Sequence, residues 1–262
     1  QTVSAQVRAL EQSLGHALFK PAGRGLALTE AGQTALELAE QIFALGEQLH
    51  TAVGDAASQN RVRLVVGISD GLPKFAVRDL LGPALSEPNL RLLCHEDGFE
   101  DLLGSLALHR LDVVLSDRPA PANPNLRLYS HPLGSSPLGW YAPKAWLAQA
   151  RRDFPQCLSQ VPVLLPTAQS SVRLRIDQWF ERHGVQPRVV GEFEDSALLA
   201  TFGASGMGVI PAAERLRDDL AQGYGLKWFA PCDGVQEHFY AIGTARKVQH
   251  PLVQRLLNAS VF

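Results

Sequence analysis

Cysteine is scarce in this 262-residue chain: Cys94, Cys157 and Cys232 lie far apart, with no C-x-x-C pair. A sparse, odd set excludes a disulfide framework and fits a reducing compartment, where the thiol acts as a small buried apolar group. Charge of one sign is also missing. A net charge of −2 rules out a protein that coats nucleic acid through its overall charge, although it permits a local basic patch. No apolar run approaches membrane-spanning length, and the opening Gln1-Thr2-Val3-Ser4 is polar, with no secretory h-region. The expectation is a cytoplasmic protein that meets no membrane. There is no initiator Met and the sequence enters a helical pattern at once, which predicts an N-terminally truncated chain.

Catalytic signatures are equally thin. The eight histidines show no metal-ligand spacing, and no G-x-S-x-G elbow occurs. Glu192 and Glu194 stand as paired acids, but nothing assigns them acid and base roles over surface ones. The run Gly203-Ala204-Ser205-Gly206-Met207-Gly208 follows a helical pattern and precedes a strand, the reverse of a dinucleotide loop, so it reads as a helix C-cap and tight turn. The chain is therefore expected to be no enzyme, with no catalytic residue, no metal ligand and no cofactor.

What is present is periodicity. Val3, Val7, Leu10 and Leu14 form one apolar stripe on a helix that Gly15 ends. Leu18-Phe19-Lys20 and Leu26-Ala27-Leu28 flank the basic turn Pro21-Ala22-Gly23-Arg24-Gly25, the pattern of a small hairpin. Thr29 is the expected N-cap of the next helix, with Glu30 in its first turn. Along that helix Ala31, Ala35, Leu38, Ile42, Leu45, Leu49, Ala52 and Ala56 make a heptad seam, while Leu36 and Phe43 form a second apolar face. Two readings stand: an amphipathic helix packed within its own domain, or a seam that meets a partner helix. Gly54 to Asn60 is small and polar, a hinge candidate.

Beyond residue 60 the period changes. Val62 to Ile68, Leu90 to Cys94 and Leu111 to Leu115 read as strands separated by helical stripes through Phe75, Leu80, Leu81 and Leu85, interrupted at Gly82-Pro83, and through Phe99, Leu102, Leu103 and Leu106. Strand–helix alternation at this spacing predicts a parallel, doubly wound α/β domain. A second set follows: Val163-Leu164-Leu165, a helix with Ile176, Trp179 and Phe180, then Val189-Val190-Gly191, a helix with Leu198, Leu199 and Phe202, and Val209-Ile210-Pro211. Two α/β lobes are expected, with Phe239 to Ile242 and a tail carrying Leu252, Val253, Leu256 and Leu257 available to return to the first.

The opening closely resembles the DNA-binding signature of LysR-type transcriptional regulators. The residues that carry the likeness are Val3-Ser4-Ala5-Gln6-Val7-Arg8-Ala9-Leu10-Glu11, Leu14-Gly15, Leu18-Phe19 and Leu28-Thr29-Glu30-Ala31-Gly32. The remainder, with Leu111-Asp112-Val113-Val114 and Gly206-Met207-Gly208-Val209, is similar to that family's periplasmic-binding-protein-like effector domain. A narrower likeness is to the sodium/proton-antiporter regulators, the NhaR-like subgroup. It rests on Gln1-Thr2, Arg8-Ala9-Leu10-Glu11, Gly23-Arg24-Gly25-Leu26, Leu115-Ser116-Asp117 and Gly191-Glu192-Phe193-Glu194-Asp195-Ser196-Ala197-Leu198.

The resemblance implies a partial winged helix-turn-helix over residues 1–28 that begins at the recognition helix, and a dimerisation linker helix over 29–57. A two-lobe, type 2 effector domain follows over 61–262, with lobe I at about 61–134 and 236–262 and lobe II at about 135–235. A recognition helix places its N-terminal residues at base edges in the major groove. Gln1, Thr2 and Ala5 are the expected base readers of double-stranded DNA, and Arg8, Lys20 and Arg24 the phosphate partners. The seam would pair two chains into a homodimer so that two half-sites are held together. Tetramers and contact with RNA polymerase also follow from the family.

Ligands of doubly wound sheets sit at strand carboxyl ends. Those ends carry Ser69, Asp70, Asp97, Ser116, Asp117, Thr167, Ser170, Ser171, Asp195 and Ser196 as candidate effector-binding residues. Carboxylates there repel an organic anion and suit a hard cation, so Na⁺ stands beside an organic ligand as effector, with pH as a further signal. The same acids also serve as helix caps or surface charges. A solute-binding protein of a transport system is the alternative on the same two lobes.

Overall fold

The computed structural model describes residues 3–23, 25–57, 62–122, 128–245 and 250–258. The chain divides into two compact units, Gln1–Asn60 with Leu108–Arg110, and Arg61–Ala107 with Leu111–Phe262.

In the first unit, α1 (Val3–Leu14) leads into the antiparallel hairpin of β1 (Phe19–Ala22) and β2 (Gly25–Leu28), and then into the long helix α2 (Glu30–Ala57). Polar side chains fix the joints. The Glu11 carboxylate accepts hydrogen bonds from the Leu18 and Phe19 amides at 2.7 and 3.1 Å, tying α1 to the hairpin. Thr29 caps α2 as its sequence position predicts: its hydroxyl accepts from the Gly32 amide at 3.0 Å and donates to the Ala17 carbonyl at 2.6 Å. Gly32 is required by a close approach, because a Cβ there would fall inside the Leu18 carbonyl.

The apolar stripes are where periodicity placed them, yet they are uncovered in the single chain. Val3 is 74% exposed, and Leu10 and Leu14 are also open. On α2, Leu38, Ile42 and Leu49 of the seam and Leu36 and Phe43 of the second face are all exposed. The stretch read as a hinge from Gly54 is helical through Ala57, since its Asp and Ala residues are compatible with a helix that is already nucleated. Residues 58–60 lie outside those described.

The second unit carries β3 (Val62–Ser69), α3 (Lys74–Leu85), β4 (Leu90–Asp97), α4 (Phe99–Ala107), β5 (Val113–Ser116) and β6 (Leu128–Ala142). It continues with α5 (Lys144–Ala150), β7 (Pro162–Pro166), α6 (Arg173–Arg182), β8 (Arg188–Phe193) and α7 (Ser196–Ala204). It closes with β9 (Ile210–Ala213), α8 (Arg217–Tyr224), β10 (Lys227–Thr244) and α9 (Pro251–Asn258). The β-branched run of β3 is buried from Leu64 to Ser69, as a central strand covered on both faces should be. It pairs in parallel with β4 and β5. Pro83 does not interrupt α3. It falls in the last turn, and the helix runs on to Leu85.

The sheet is mixed, in the order β4-β3-β5-β10-β6-β9. Its two longest strands, β6 and β10, run antiparallel from Lys227↔Ala142 at one end to Thr244↔Leu128 at the other, with a register shift between Pro231 and Gln236. One half of this ribbon joins β5, and the other joins β9. A parallel pair, β7 and β8, completes the second lobe, linked by the bridge Val163↔Val209. The architecture is the two-lobe, type 2 periplasmic-binding-protein-like domain, with β6 and β10 as its crossing strands.

Packing follows from these lobes. Trp140, Trp179, Phe180 and Leu158 fill one core in the second lobe, and Phe99, Leu103 and Ile242 fill another on one face of the first. A third apolar cluster runs across both, from Leu64 and Leu80 through Phe239 to Leu199, Ile210 and Leu220, and takes in Leu252 and Leu256 of α9. The lobes therefore share a core.

The glycine run after α7 is a cap and turn, with φ +94° at Gly206. A Cβ on Gly208 would come to 2.6 Å from the Pro162 carbonyl oxygen. Since backbone cannot swing aside as a side chain does, Gly208→Ala should lower stability by about 1–3 kcal/mol, measured by denaturant unfolding. A loss within experimental error would contradict that close packing.

Candidate functional site: a polar cleft between the lobes

The strand ends of the two lobes converge on a small polar cleft of about 50 Å³, lined by Ser69, Asp70, Asp117, Thr167 and Ser170 from among the predicted effector residues. Gly71, Gly98, Phe99, Arg118, Gln169 and Glu194 complete it. A volume of this order admits a few water molecules or a small ion.

Two strand-end hydroxyls are aimed at nothing. Ser69 ends β3 and Thr167 follows β7, and the Oγ of the first and Oγ1 of the second are buried without a hydrogen-bond partner. The Nε of Arg118 is in the same condition. That guanidinium stacks 4.5 Å from the Phe99 ring and donates through one terminal nitrogen to the Gln169 carbonyl at 3.4 Å. Buried polar atoms without partners are costly, and three of them around one cavity mark it as a place where a ligand or ordered water supplies the missing bonds.

The other predicted residues do structural work beside the cleft. Asp97 is exposed and accepts from the Gly98 amide at 2.8 Å, at the start of α4. The buried Ser116 hydroxyl accepts from the Arg118 amide at 3.2 Å. Ser171 ties the lobes together: its amide donates to the Asp117 carboxylate at 3.1 Å and its hydroxyl to the Asp117 carbonyl at 3.3 Å. The Ser196 hydroxyl donates to the Leu72 carbonyl at 3.1 Å, a second tie across the cleft.

Asp195 caps α7 by accepting from the Leu198 amide, and it pairs with Lys74 at 3.0 Å, while Lys74 also meets Glu96. Burial pushes the Asp195 carboxyl up, but the Leu198 amide and the Lys74 ammonium outweigh it and hold the group below its ordinary value. Farther along the same seam, Arg78 of α3 grips Asp219 of α8 with two bonds of 2.9 and 3.0 Å.

Sequence reasoning passed over Arg118; Gly98, Gln169 and Glu194 fell within the strand-end runs but were not chosen as effector residues, and Phe99 was read only as part of the apolar stripe of α4. Arg118 follows directly on Asp117 at the end of β5. Its position one residue past a strand-end acid was the one signal that could have found it.

In the first unit, Ala5 and Arg8 lie exposed on α1 and Lys20 exposed on β1. Gln1, Thr2 and Arg24 lie outside the described residues. Among the described residues no helix is long and apolar enough to cross a membrane.

A two-lobe α/β domain whose strand ends line a polar cleft, carried in one chain with a helix, a hairpin and a long apolar-striped helix, has the parts of a ligand-responsive DNA-binding regulator. Residues 57–261 match the LysR substrate binding domain, and residues 1–33 match the bacterial regulatory helix-turn-helix protein of the lysR family. The chain belongs to the LysR family of bacterial transcriptional regulators.

It is 31% identical over 259 residues to the transcriptional activator protein NhaR of Escherichia coli (strain K12), an alignment spanning 98% of this chain and 85% of that protein. It is 27% identical over 220 residues to the nitrogen assimilation regulatory protein nac of the same organism, spanning 79% and 67%. Among solved structures, CbnR, a LysR family transcriptional regulator, superposes with TM-score 0.58 at 19% identity, covering 99% of this chain and 89% of that one. Full-length CbnR complexed with its target DNA gives 0.60 at 19% identity, covering 97% and 86%. The relatives found are regulators of transcription, which agrees with a protein that is not an enzyme, and the helix-turn-helix match argues against the transport alternative.

Proposed function

We propose that this regulator is a cytoplasmic activator of the NhaR-like kind, acting on a sodium/proton-antiporter gene, with Na⁺ as the effector in the polar cleft and pH as a further signal. The observation that carries the effector assignment is the charge and chemistry of the cleft. Among the described residues that line it, Asp70, Asp117 and Glu194 stand against the cation Arg118, and the Ser69 and Thr167 hydroxyls have no partners. Oxygen donors with excess negative charge suit a hard cation. The 31% identity to NhaR supports the subgroup. A ligand held by both lobes shifts the population toward the closed arrangement, and that bias is passed on to the DNA-binding unit.

On this reading α2 pairs two chains through Leu38, Ile42 and Leu49, which are exposed in the single chain. Gln1, Thr2 and Ala5 read base edges, Arg8, Lys20 and Arg24 hold phosphates, and bound dimers, or dimers of dimers, present the complex to RNA polymerase.

The test is thermal unfolding in NaCl against KCl at equal ionic strength, which cancels screening. A higher midpoint in NaCl alone, lost in Asp70→Asn, supports the sodium reading. Equal midpoints refute it. They would favour a second reading, a small organic effector whose carboxylate is gripped by the free Nε of Arg118.

A further inference from the structure

Beside the polar cleft, and sharing Gly71, Ser170 and Glu194 with it, lies a second chamber of about 120 Å³. Its walls are apolar: Phe75 from α3, Phe193 from β8, Ile210 from β9, Leu220 and Tyr224 from α8, and Leu138 from β6. Helix α3 belongs to the first lobe and α7 and α8 to the second, so an occupant would touch both. An engineered apolar cavity of about 150 Å³ accepts benzene, so a chamber of this size takes one ring or a short branched chain.

One lining group does not belong in such a place. Glu237, on β10 just past the register shift of the crossing strands, is only 6% exposed and borders the chamber. Its carboxyl has no hydrogen bond or ion pair among the described residues. Among the described residues, the charge that acts on it is Asp117, of the same sign.

The cations nearby are engaged elsewhere. Lys74, which lines the chamber, is held by Glu96 and Asp195, and Arg175 donates to the Gln236 carbonyl at 2.7 Å. The remaining titratable lining groups are Glu194 and Tyr224. Burial, reinforced by Asp117, pushes the Glu237 carboxyl up to about 8, so near neutrality it is largely protonated. A protonated carboxyl facing an apolar hollow can give up its proton to bulk solvent and become the counter-ion of an entering cation.

We propose that this chamber is a binding site for an organic cation, a protonated amine carrying one ring or a short branched hydrocarbon, whose ammonium pairs with Glu237 while its apolar part fills the hollow. The exchange is balanced: the carboxylic acid releases one proton as the carboxylate–ammonium pair forms. An inorganic cation gains little here, because the apolar walls replace none of its hydration. The site is thus distinct from the polar cleft and does not depend on the sodium reading.

The test is isothermal titration calorimetry of the full chain at pH 7 with benzylammonium chloride, benzyl alcohol and benzoate, in phosphate and in HEPES on a constant KCl background. Benzylammonium should bind about tenfold or more tighter than the alcohol, with benzoate weakest, as expected for a hydrogen bond between charged groups. The difference between buffers should report release of close to one proton.

Glu237→Gln keeps the shape and the fold without the counter-ion. It should still bind the alcohol, lose the preference for the amine and release no proton. Tighter binding of the alcohol in the parent protein, undiminished amine binding in Glu237→Gln, or no binding of any of the three overturns the proposal. Asp70→Asn separates the two sites: it should abolish a sodium effect and leave benzylammonium binding intact, so either reading can fail without the other.

Discussion

Glu237→Gln should make the protein more stable at pH 8, by a few kcal/mol, while leaving its stability near pH 4.5 almost unchanged. The folded chain raises this carboxyl from 4.5 to about 8, chiefly by burial and secondarily through Asp117. The folded state therefore binds the proton more tightly than the unfolded chain does. Its contribution to stability is full below about 4.5 and is lost as pH climbs through about 8. Across that window each pH unit removes at most about 1.4 kcal/mol. Glutamine carries no ionisable proton, so its stability curve stays flat where the parent's falls. Chemical denaturation at half-unit pH steps measures the difference, and parallel curves for the two proteins would show that Glu237 titrates alike in the folded and unfolded chains.

Trp179→Ala should cost about 3–5 kcal/mol, enough to threaten the second lobe altogether. Trp179 is 1% exposed on α6, between Trp140, Phe154 and Phe180 at ring separations of 5.8, 5.7 and 5.4 Å. Removing it opens a cavity that the surrounding rings are too rigid to close. Its indole Nε1 is buried without a hydrogen-bond partner. Trp179→Phe should therefore lose far less than the alanine variant, since phenylalanine gives up area but also removes an unsatisfied donor. Urea unfolding of both variants decides it: an alanine variant within about 1 kcal/mol of the parent would mean that the lobe repacks around the gap.

Both residues bear on the cleft. Trp179 stiffens the lobe that presents Thr167 and Ser170, and Glu237 sits where the crossing strands join the two lobes. Loss of the first should loosen one wall of the site, whereas loss of the second changes the charge of the adjoining chamber and leaves the walls in place.

Much of this protein is written in local patterns. The stripe of α1, the Thr29 cap, the hairpin and the seam of α2 depend on residues within a few positions of one another, and they stand where periodicity put them. The alternation of buried strands and amphipathic helices likewise revealed two α/β lobes, and the likeness to the LysR family followed from runs such as Leu28-Thr29-Glu30-Ala31-Gly32.

The crossing strands were not legible in the same way. β6 contains Pro132, Gly134 and Pro137 and shows no clean alternation, and β10 was visible only from Phe239 to Ile242. Such strands are held by pairing with each other over a long sequence separation rather than by local propensity.

The site divides along the same line. Strand ends could be read from the sequence, and five of the ten residues chosen there line the cleft: Ser69, Asp70, Asp117, Thr167 and Ser170. Which strand-end side chains face the cavity and which are spent on caps and ties was a matter of tertiary geometry. Asp195 caps its own helix, and Ser171 is engaged by Asp117, more than fifty residues away.

Glu237 carries no local signal and Arg118 only its place after a strand-end acid, because an arginine or glutamate in a strand-rich sequence is most often a solvated surface charge. The burial of the Arg118 Nε and of the Glu237 side chain beside a cavity is a property of the assembled lobes. The sequence by itself determined the family and the helices and strands outside the crossing pair, since these rest on short-range pattern. The tertiary structure alone decided which polar atoms are left unsatisfied, because that depends on every neighbour brought in from elsewhere along the chain.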